Sequence, residues 1–195
     1  MDECAAVILA AGASTRLGQP KQLILLEGES LLRRTTRLAI DSGCSPVLVV
    51  LGRDAASFLP EVGGLQAVVT INEEWQSGMA SSLKTGIKAV LAACPQVQNM
   101  MVLVCDQPEL DSPQLKHLLT THRSGRALIT ASKYVETLGV PAIFSKKVFG
   151  ELLDLAGDQG ARRVLTRHRN KVATVDFPGG DFDLDTPEDL VRLHS

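Results

Sequence analysis

Residues 5–21 read AAVILAAGASTRLGQPK, an apolar run joined to a loop of small and cationic residues. The run Ala5–Leu9 is short and continuously apolar, which is typical of a parallel strand covered by helices on both faces. The loop that follows carries Ala and Gly, so its backbone can approach a ligand closely, and Gly12 tolerates a positive φ. Clusters of backbone N–H groups in such loops bind phosphate oxygens. The stretch therefore predicts a buried first strand that ends in a phosphate-binding loop.

The same loop contains two cations, Arg16 and Lys21. Arg16 offers a planar fork of donors and Lys21 a mobile point charge, a combination that suits a polyphosphate such as a triphosphate. The residues alone leave open a simple turn with solvated cations. Two familiar phosphate loops are excluded, because there is no GxGxxG, and Gly12 and Gly18 are one residue too far apart for GxxxxGK[ST]. We therefore expect neither a standard dinucleotide fold nor a P-loop NTPase.

Apolar runs alternate with helical patterns along the rest of the chain. The runs that we predict to be strands are Ala5–Leu9, Pro46–Leu51, Gln66–Ile71, Met100–Cys105, Ala127–Ser132, Val140–Phe144 and Lys171–Asp176. Strands that alternate with helices form parallel sheets, so we predict an α/β, Rossmann-like fold with three layers and a doubly wound, mostly parallel sheet. The runs at 127–132 and 140–144 are predicted to pair antiparallel. In the helix that begins near Ser112, His117 and His122 are predicted to be exposed.

Length and composition narrow the class of protein. A chain of 195 residues suits one α/β domain, so we expect residues 1–195 to form a single domain. A formal net charge of -2 and 4% aromatic residues provide no basic field or stacking platform for nucleic acid, which predicts a small-molecule substrate.

The chain also lacks the features of an exported or membrane protein. No apolar stretch approaches the roughly 18 residues of a membrane helix, and the acidic N-terminus precedes a run too short for a signal core, so we expect no membrane segment and a cytoplasmic protein. Its cysteines lack metal-site spacing and are predicted to be reduced core residues: Cys4, Cys44, Cys94 and Cys105.

The pattern LAAGxSxRxGxxK over residues 9–21 resembles the signature of the MobA-like nucleotidyltransferases, typified by molybdenum cofactor cytidylyltransferases and guanylyltransferases. The resemblance implies a fold of the nucleotide-diphospho-sugar transferase type. It also implies that Arg16 and Lys21 act in catalysis by neutralising a triphosphate. The loop that would wrap this triphosphate comprises Leu9, Ala10, Ala11, Gly12 and Ala13. The guanylyl branch usually has Gly-Gly where this chain has Ala11-Gly12, so the resemblance favours CTP.

Residues 72–83, NEEWQSGMASSL, follow the third predicted strand. Open α/β sheets bind ligands at the carboxyl ends of their strands, and Gly78 precedes a helix whose first N–H groups can bind a ligand. The residues alone leave open a Ser-capped helix after a Trp that packs its loop. The segment resembles the family motif NxxWxxGxxxSL, which implies that Asn72, Gly78, Ser81 and Ser82 lie against the nucleoside.

Two carboxylates are candidate metal ligands, Asp106 and Asp185. Asp106 follows the fourth strand, and Mg²⁺ on a triphosphate needs only one or two carboxylates from the protein. The alternatives are structural roles: Asp106 as a residue that forms a turn, and Thr186–Asp189 as a helix cap. Asp106-Gln107-Pro108 resembles the cytidylyl branch, which implies a catalytic, metal-binding Asp106 and a nucleotide-binding Gln107. The DxDTPEDL motif implies that Asp185 is the second ligand for Mg²⁺ or Mn²⁺, with Asp183 as a neighbour.

The acceptor side is indicated by two further motifs. Gly139-Val140-Pro141 stands where the family often has Gly-His-Pro or Gly-Asn-Pro, and Val140 removes a polar contact. Residues 157–162, GDQGAR, resemble a family motif on the acceptor side, although a simple helix-helix connection is the alternative. The acceptor-binding residues implied are Gly139, Pro141, Gly160 and Arg162.

Apart from Gly139-Val140-Pro141, which departs from the family pattern, the five motifs occur in the family's order along the chain. They imply a Mg²⁺-dependent enzyme that transfers CMP from CTP to the phosphate of molybdopterin or molybdenum cofactor and releases pyrophosphate. A molybdoenzyme or its chaperone is a further candidate partner. The alternatives are a transferase of the same fold that uses GTP or another small phosphorylated acceptor, and a non-catalytic chaperone that binds the pterin.

Overall fold

The computed structural model describes residues 4–14, 16–125 and 127–193. The strands are β1 (Cys4–Leu9), β2 (Leu25–Leu26), β3 (Glu29–Ser30), β4 (Val47–Leu51), β5 (Val68–Ile71), β6 (Asn99–Val104), β7 (Ile129–Tyr134), β8 (Thr137–Ser145) and β9 (Val172–Asp176). The α-helices are α1 (Leu31–Asp41), α2 (Ala55–Val62), α3 (Met79–Ala93), α4 (Ser112–Ser124), α5 (Phe149–Leu153), α6 (Arg162–Arg167) and α7 (Pro187–Leu193). Short 3-10 turns include Lys21–Leu23 and Trp75–Ser77.

One seven-stranded sheet organises the molecule, with strand order β5-β4-β1-β6-β8-β7-β9. The first four strands are parallel, β8 is antiparallel to both β6 and β7, and β9 is parallel to β7. The predicted mostly parallel α/β sheet and its antiparallel pair are therefore confirmed. Because β1 lies between β4 and β6, the loops that follow β1 and β6 leave the sheet side by side.

The central strand is buried on both faces. Ala6 and Ile8 pack in a core cluster with α1, α2 and α4, whereas Ala5 and Val7 pack in a second cluster with α3, α5 and α6. Alternate residues of a strand point to opposite faces, so a continuous apolar run is required where helices cover both. Burial of each large aliphatic side chain contributes about 1.5–3 kcal/mol. These two layers fix the position of the loop at the end of β1.

A smaller apolar cluster ties the C-terminal segment to the loop after β1. Leu17 and Ile24 pack with Phe182 and Leu184. The N–H of Leu184 also donates to the carbonyl of Asp106 (3.0 Å). The acidic residues on either side of Leu184 are thereby held beside the loops after β1 and β6.

The four cysteines are buried and free, as predicted. His117 is exposed, but the prediction that His122 is exposed is wrong. Its ring lies 2.9 Å from Thr130 Oγ1 and 2.9 Å from Asn99 Oδ1, so hydrogen bonds to β7 and β6 satisfy both ring nitrogens inside the protein. Among the residues described, no helix is long and apolar enough to cross a membrane.

Gly86 of α3 provides a test of the packing between this helix and the sheet. A Cβ atom there would overlap Val7 and would lie 3.1 Å from Val50 Cγ2. We expect Gly86→Ala to lower the free energy of unfolding by about 1–3 kcal/mol, measured by urea denaturation, because the strands beneath cannot move.

The matched control is Gly150→Ala in α5, where a Cβ atom meets nothing within 4 Å. Alanine favours helix at such a site, so stability should stay unchanged or rise by up to about 1 kcal/mol. Equal effects of the two substitutions would contradict close packing of α3 on β1.

Candidate functional site

The loop after β1 is held from behind by one side chain. Gln22 is 1% exposed, and its Nε2 donates to the carbonyls of Ala10 (2.8 Å) and Gly12 (2.9 Å). The Ser14 hydroxyl accepts from the Lys21 N–H (3.1 Å), which closes the turn. With its carbonyls engaged in this way, the loop has a fixed backbone conformation.

The N–H groups of the same loop are available to a ligand. Those of Ala11, Gly12 and Ala13 donate to no acceptor in the described ranges 4–14, 16–125 and 127–193. Unpaired backbone donors on a small-residue loop bind anions, and phosphate is the commonest of these. The predicted phosphate-binding chemistry therefore has a structural basis in this loop.

These residues border a cavity of about 340 Å³, a volume in the range of small-ligand sites. The loop after β1 forms one wall, the segment before and at the start of α3 forms another, and the end of β6 forms the floor. The lining residues are Leu9, Ala10, Ala11, Gly12, Ala13, Lys21, Gln22, Trp75, Gln76, Gly78, Met79, Ser82, Val104, Cys105, Asp106 and Asp158.

Lys21 connects two carboxylates at the edge of this cavity. Its ammonium contacts Asp106 Oδ2 and lies 3.1 Å from Asp185 Oδ1. Arg16 Nη2 donates to the other oxygen of Asp185 (2.9 Å). Burial by itself would lower the pKa of Lys21, but the charge and hydrogen bond of Asp106 and the charge of Asp185 outweigh it and raise the pKa. The ammonium therefore stays charged.

A third carboxylate, Asp183, completes an acidic cluster with Asp106 and Asp185. Partial burial of the Asp183 carboxyl raises its pKa to about 6, and the negative charges of Asp106 and Asp185 act in the same direction. The Oδ1 atom of Asp106 is buried and has no hydrogen-bond partner among the described residues. Crowded carboxylates and an unsatisfied carboxylate oxygen both favour the approach of a cation.

A divalent ion fits this cluster only with help from a substrate. In the part of the chain that is described, no three His, Cys, Asp or Glu side chains converge closely enough to hold a metal ion. Mg²⁺ commonly binds through one or two carboxylates, substrate phosphates and water. The unsatisfied oxygen of Asp106, with Asp185 joined to it through Lys21, is consistent with that donor set.

The residues predicted to contact a nucleoside divide into two groups. Gly78 and Ser82 line the cavity, together with Trp75 and Gln76. Asn72 instead lies behind the wall, where it is 3% exposed and its amide donates to Ser81 Oγ (2.7 Å) and Ser82 Oγ (3.0 Å). Asn72 therefore orients these serines.

The GDQGAR segment, residues 157–162, packs on the start of α3. Gly78 has φ +103°, and a Cβ atom there would overlap the backbone of Gly157. The carbonyl of Gly157 accepts from the Ala80 N–H (3.0 Å), and Gly160 lies against Met79. This contact places Asp158 in the cavity wall.

Gln107 and the residues predicted on the acceptor side lie away from the cavity lining. The amide of Gln107 donates to the carbonyls of Val140 (3.2 Å) and Gly180 (3.1 Å), so it ties β8 to the segment before Asp183. Gly139 is buried in β8 beneath Tyr134, and Pro141 is also buried there. Arg162 is exposed, with Nη2 3.4 Å from Thr137 Oγ1.

Gln76 and Asp158 also line the cavity, although the sequence motifs do not single them out as site residues. Each lies inside a stretch that resembles a family motif, and this position is the signal by which the sequence could have indicated it. Their orientation depends on the contact between Gly78 and Gly157, which join distant parts of the chain.

Replacement of Gln22 tests whether its amide supports the loop. We expect Gln22→Leu to lower the free energy of unfolding by about 1–3 kcal/mol in urea denaturation, because two loop carbonyls lose their donor. Gln98→Leu is the control, since the exposed amide of Gln98 also donates to a backbone carbonyl, that of Gln96 (2.7 Å). Gln98→Leu should change the free energy of unfolding by no more than about 0.5 kcal/mol. A Gln22 variant as stable as this control would contradict the supporting role.

Comparison with known proteins agrees with this geometry. The family model of the MobA-like NTP transferase domain matches residues 6–172. The chain is 31% identical to nicotine blue oxidoreductase of Paenarthrobacter nicotinovorans, over 96% of this chain and 94% of that protein. It is 30% identical to purine catabolism protein PucB of Bacillus subtilis, over 95% of this chain and 94% of that protein. A probable molybdenum cofactor guanylyltransferase of Synechococcus elongatus is 35% identical over 54% of this chain and 52% of its own length.

Solved structures show the same architecture. Rv0371c from Mycobacterium tuberculosis H37Rv superposes with a TM-score of 0.85 at 29% identity, covering 99% of this chain and 98% of that one. Its complex with manganese gives a TM-score of 0.82 at 27% identity, with 98% and 97% coverage. The matched family model, the near full-length relatives and this fold show that the chain belongs to the MobA-like NTP transferase family of nucleotidyltransferases.

Proposed function

We propose that this protein transfers CMP from CTP to a phosphate oxygen of molybdopterin or molybdenum cofactor and releases pyrophosphate. The observation that carries the proposal is the meeting of two features at one cavity. The loop residues Ala11–Ala13 present backbone donors that have no acceptor among the described residues, and Lys21 lies beside them between Asp106 and Asp185. Backbone N–H donors that lie next to the ammonium of Lys21 suit a triphosphate substrate.

The transfer requires no nucleophile from the protein. An oxygen of the acceptor phosphate forms a bond to the α-phosphorus of CTP, while the bond from that phosphorus to the oxygen bridging to the β-phosphate breaks. Such reactions are catalysed by holding the reacting oxygens in line and by stabilising charge on the phosphoryl groups. The N–H groups of the loop would hold the leaving pyrophosphate, and Arg16 and Lys21 would neutralise it.

A divalent cation is part of the proposal, and Asp106 and Asp185 are the residues that would hold it. Mg²⁺ or Mn²⁺ would supply positive charge to the triphosphate and the leaving pyrophosphate. The manganese complex of Rv0371c supports a divalent ion in this family. In the structure of this chain the ammonium of Lys21 lies between the same two carboxylates. We propose that Lys21 exchanges these carboxylates for phosphate oxygens when the nucleotide binds.

The preference for CTP rests on Ala11. A Cβ atom at Gly52 would lie 3.0 Å from Ala11 Cβ and 2.8 Å from Trp75 Cβ, so these residues pack tightly beside the cavity. The methyl group of Ala11 is buried and packs against Gly52. The guanylyl branch usually has a glycine at this position, and this difference supports CTP rather than GTP.

The proposed acceptor rests on family membership and on relatives named as probable molybdenum cofactor guanylyltransferases. A molybdoenzyme or its chaperone would receive the product. The cytoplasmic location and the single domain over residues 1–195 remain predictions. Another relative carries the name of an oxidoreductase, so an oxidoreductase is the competing function. An oxidoreductase would bind a redox cofactor, so NADH is one of the ligands compared in the first experiment.

Nucleotide binding is the first test. We expect CTP with Mg²⁺ to raise the unfolding temperature more than GTP, ATP, UTP or NADH does. A ligand at 100 times its dissociation constant adds about 2.7 kcal/mol to the stability of the folded state. A shift with NADH alone would overturn the transferase assignment for this site, and a larger shift with GTP would overturn the preference for CTP.

Pyrophosphate release from CTP with molybdopterin then tests the reaction. We expect Lys21→Ala to lower kcat by about 10²–10³-fold, since it removes charge stabilisation of the transferring phosphoryl group. Lys88→Ala is the control because Lys88 is exposed on α3 and lies outside the cavity lining, and its kcat should match the wild type. Equal rates for the two variants would remove Lys21 from the mechanism.

A further inference from the structure

Tyr134 occupies a place in the fold that the sequence motifs do not indicate. It ends β7, and Thr137 at the start of β8 is its register partner. Its ring lies against two glycines, because Cβ atoms built at Gly139 and Gly180 would overlap it. The ring of Phe177 meets it edge to face, with centroids 6.5 Å apart and planes at 87°. The two glycines, which leave room for the ring, and the edge contact with Phe177 thus fix the position of the Tyr134 ring.

The charges around Tyr134 are those of the acidic cluster and of α6. Asp183, Asp106 and Asp181 act on the phenol from the side of the candidate metal ligands, and Arg162 acts with the opposite sign. Burial, followed by the charge of Asp183, raises the pKa of Tyr134, so the hydroxyl keeps its proton. Within the described part of the chain, that hydroxyl donates to no acceptor.

Arg162 contacts the hairpin that carries Tyr134. Its guanidinium lies 3.4 Å from Thr137 Oγ1, the residue paired with Tyr134. Arg162 itself is exposed, so its remaining donors are open to a ligand. A neutral phenol donor and a guanidinium near the acidic cluster of Asp106, Asp183 and Asp185 suit a group that is anionic and that would also bind a divalent cation held by this cluster. A phosphate monoester has both properties.

We propose that Tyr134 is an acceptor-specificity residue, whose hydroxyl, together with Arg162, binds the phosphate group of the acceptor beside Asp106 and Asp183. The inference deepens the proposed function and rests on its claim that the site takes a phosphorylated acceptor. It also accounts for Gly139 and Gly180, because any larger residue at either position would displace the phenol ring.

Kinetics with CTP and molybdopterin test the role of the hydroxyl. Tyr134→Phe keeps the ring and its packing, and we expect it to raise the KM for molybdopterin about tenfold, since it removes one hydrogen bond to a charged group. The KM for CTP and kcat should stay within twofold of wild type. Gly139→Ala keeps the hydroxyl but displaces it, so it should give a similar rise. An unchanged KM for molybdopterin in Tyr134→Phe would overturn the inference.

A second readout does not depend on turnover. The chain has one tyrosine and one tryptophan, so fluorotyrosine gives a single ¹⁹F resonance at Tyr134 and Trp75 gives a separate fluorescence signal in the nucleotide cavity. We expect CTP with Mg²⁺ to change the Trp75 signal, and inorganic phosphate to move the ¹⁹F resonance in the wild type but not in Arg162→Ala.

The two readouts separate the two claims. If neither inorganic phosphate nor molybdopterin changes the ¹⁹F resonance, while CTP changes the Trp75 fluorescence, the role of Tyr134 is overturned and the proposed function still stands. A resonance that moves with phosphate, in a protein that releases no pyrophosphate with molybdopterin, would support Tyr134 and overturn the proposed acceptor.

Discussion

The contact of Lys21 with Asp106 and Asp185 is the interaction on which the rest of the site depends. Its carboxylate partners are 85 and 164 residues away in sequence, one at the end of β6 and the other before α7. Without the ammonium that contacts both of them, these two partly buried carboxylates would repel each other. The ammonium therefore joins the loop after β1, the centre of the sheet and the C-terminal segment into one site.

In the proposed reaction, the same side chain would contact the carboxylates before the nucleotide binds and the phosphates of the nucleotide afterwards. A lysine is a compact charge on a flexible stem, so it can change partners without movement of the backbone. Arg16 pairs with the other oxygen of Asp185 and keeps that segment in place. The loop beneath is fixed independently, because the amide of Gln22 holds its carbonyls. The site thus combines a rigid array of backbone donors with a mobile cation.

Sequence reasoning predicted the parts of the fold that depend on local pattern. Apolar runs gave every strand of the large sheet, and the alternation with helices gave its mostly parallel order. The prediction of an exposed His122 was wrong, because its ring on α4 forms hydrogen bonds with one residue of β7 and one of β6. Sequence reasoning also named Gln107 in a motif without indicating that its amide faces β8. Hydrogen bonds between distant segments leave no periodicity in the sequence, so pattern reading cannot find them.

The sequence by itself determined the class of fold and the run of small and cationic residues after β1, because each depends on short-range pattern and backbone chemistry. Phosphate binding by this loop stays a prediction. Only the tertiary structure decided which of these residues share a cavity. Asp158 lies in the cavity wall, whereas Asn72 lies behind this wall and contacts Ser81. Tyr134 packs on two glycines near the acidic cluster. Such juxtapositions arise from packing across the sheet, where residues far apart in the chain are brought together by burial of the two core layers.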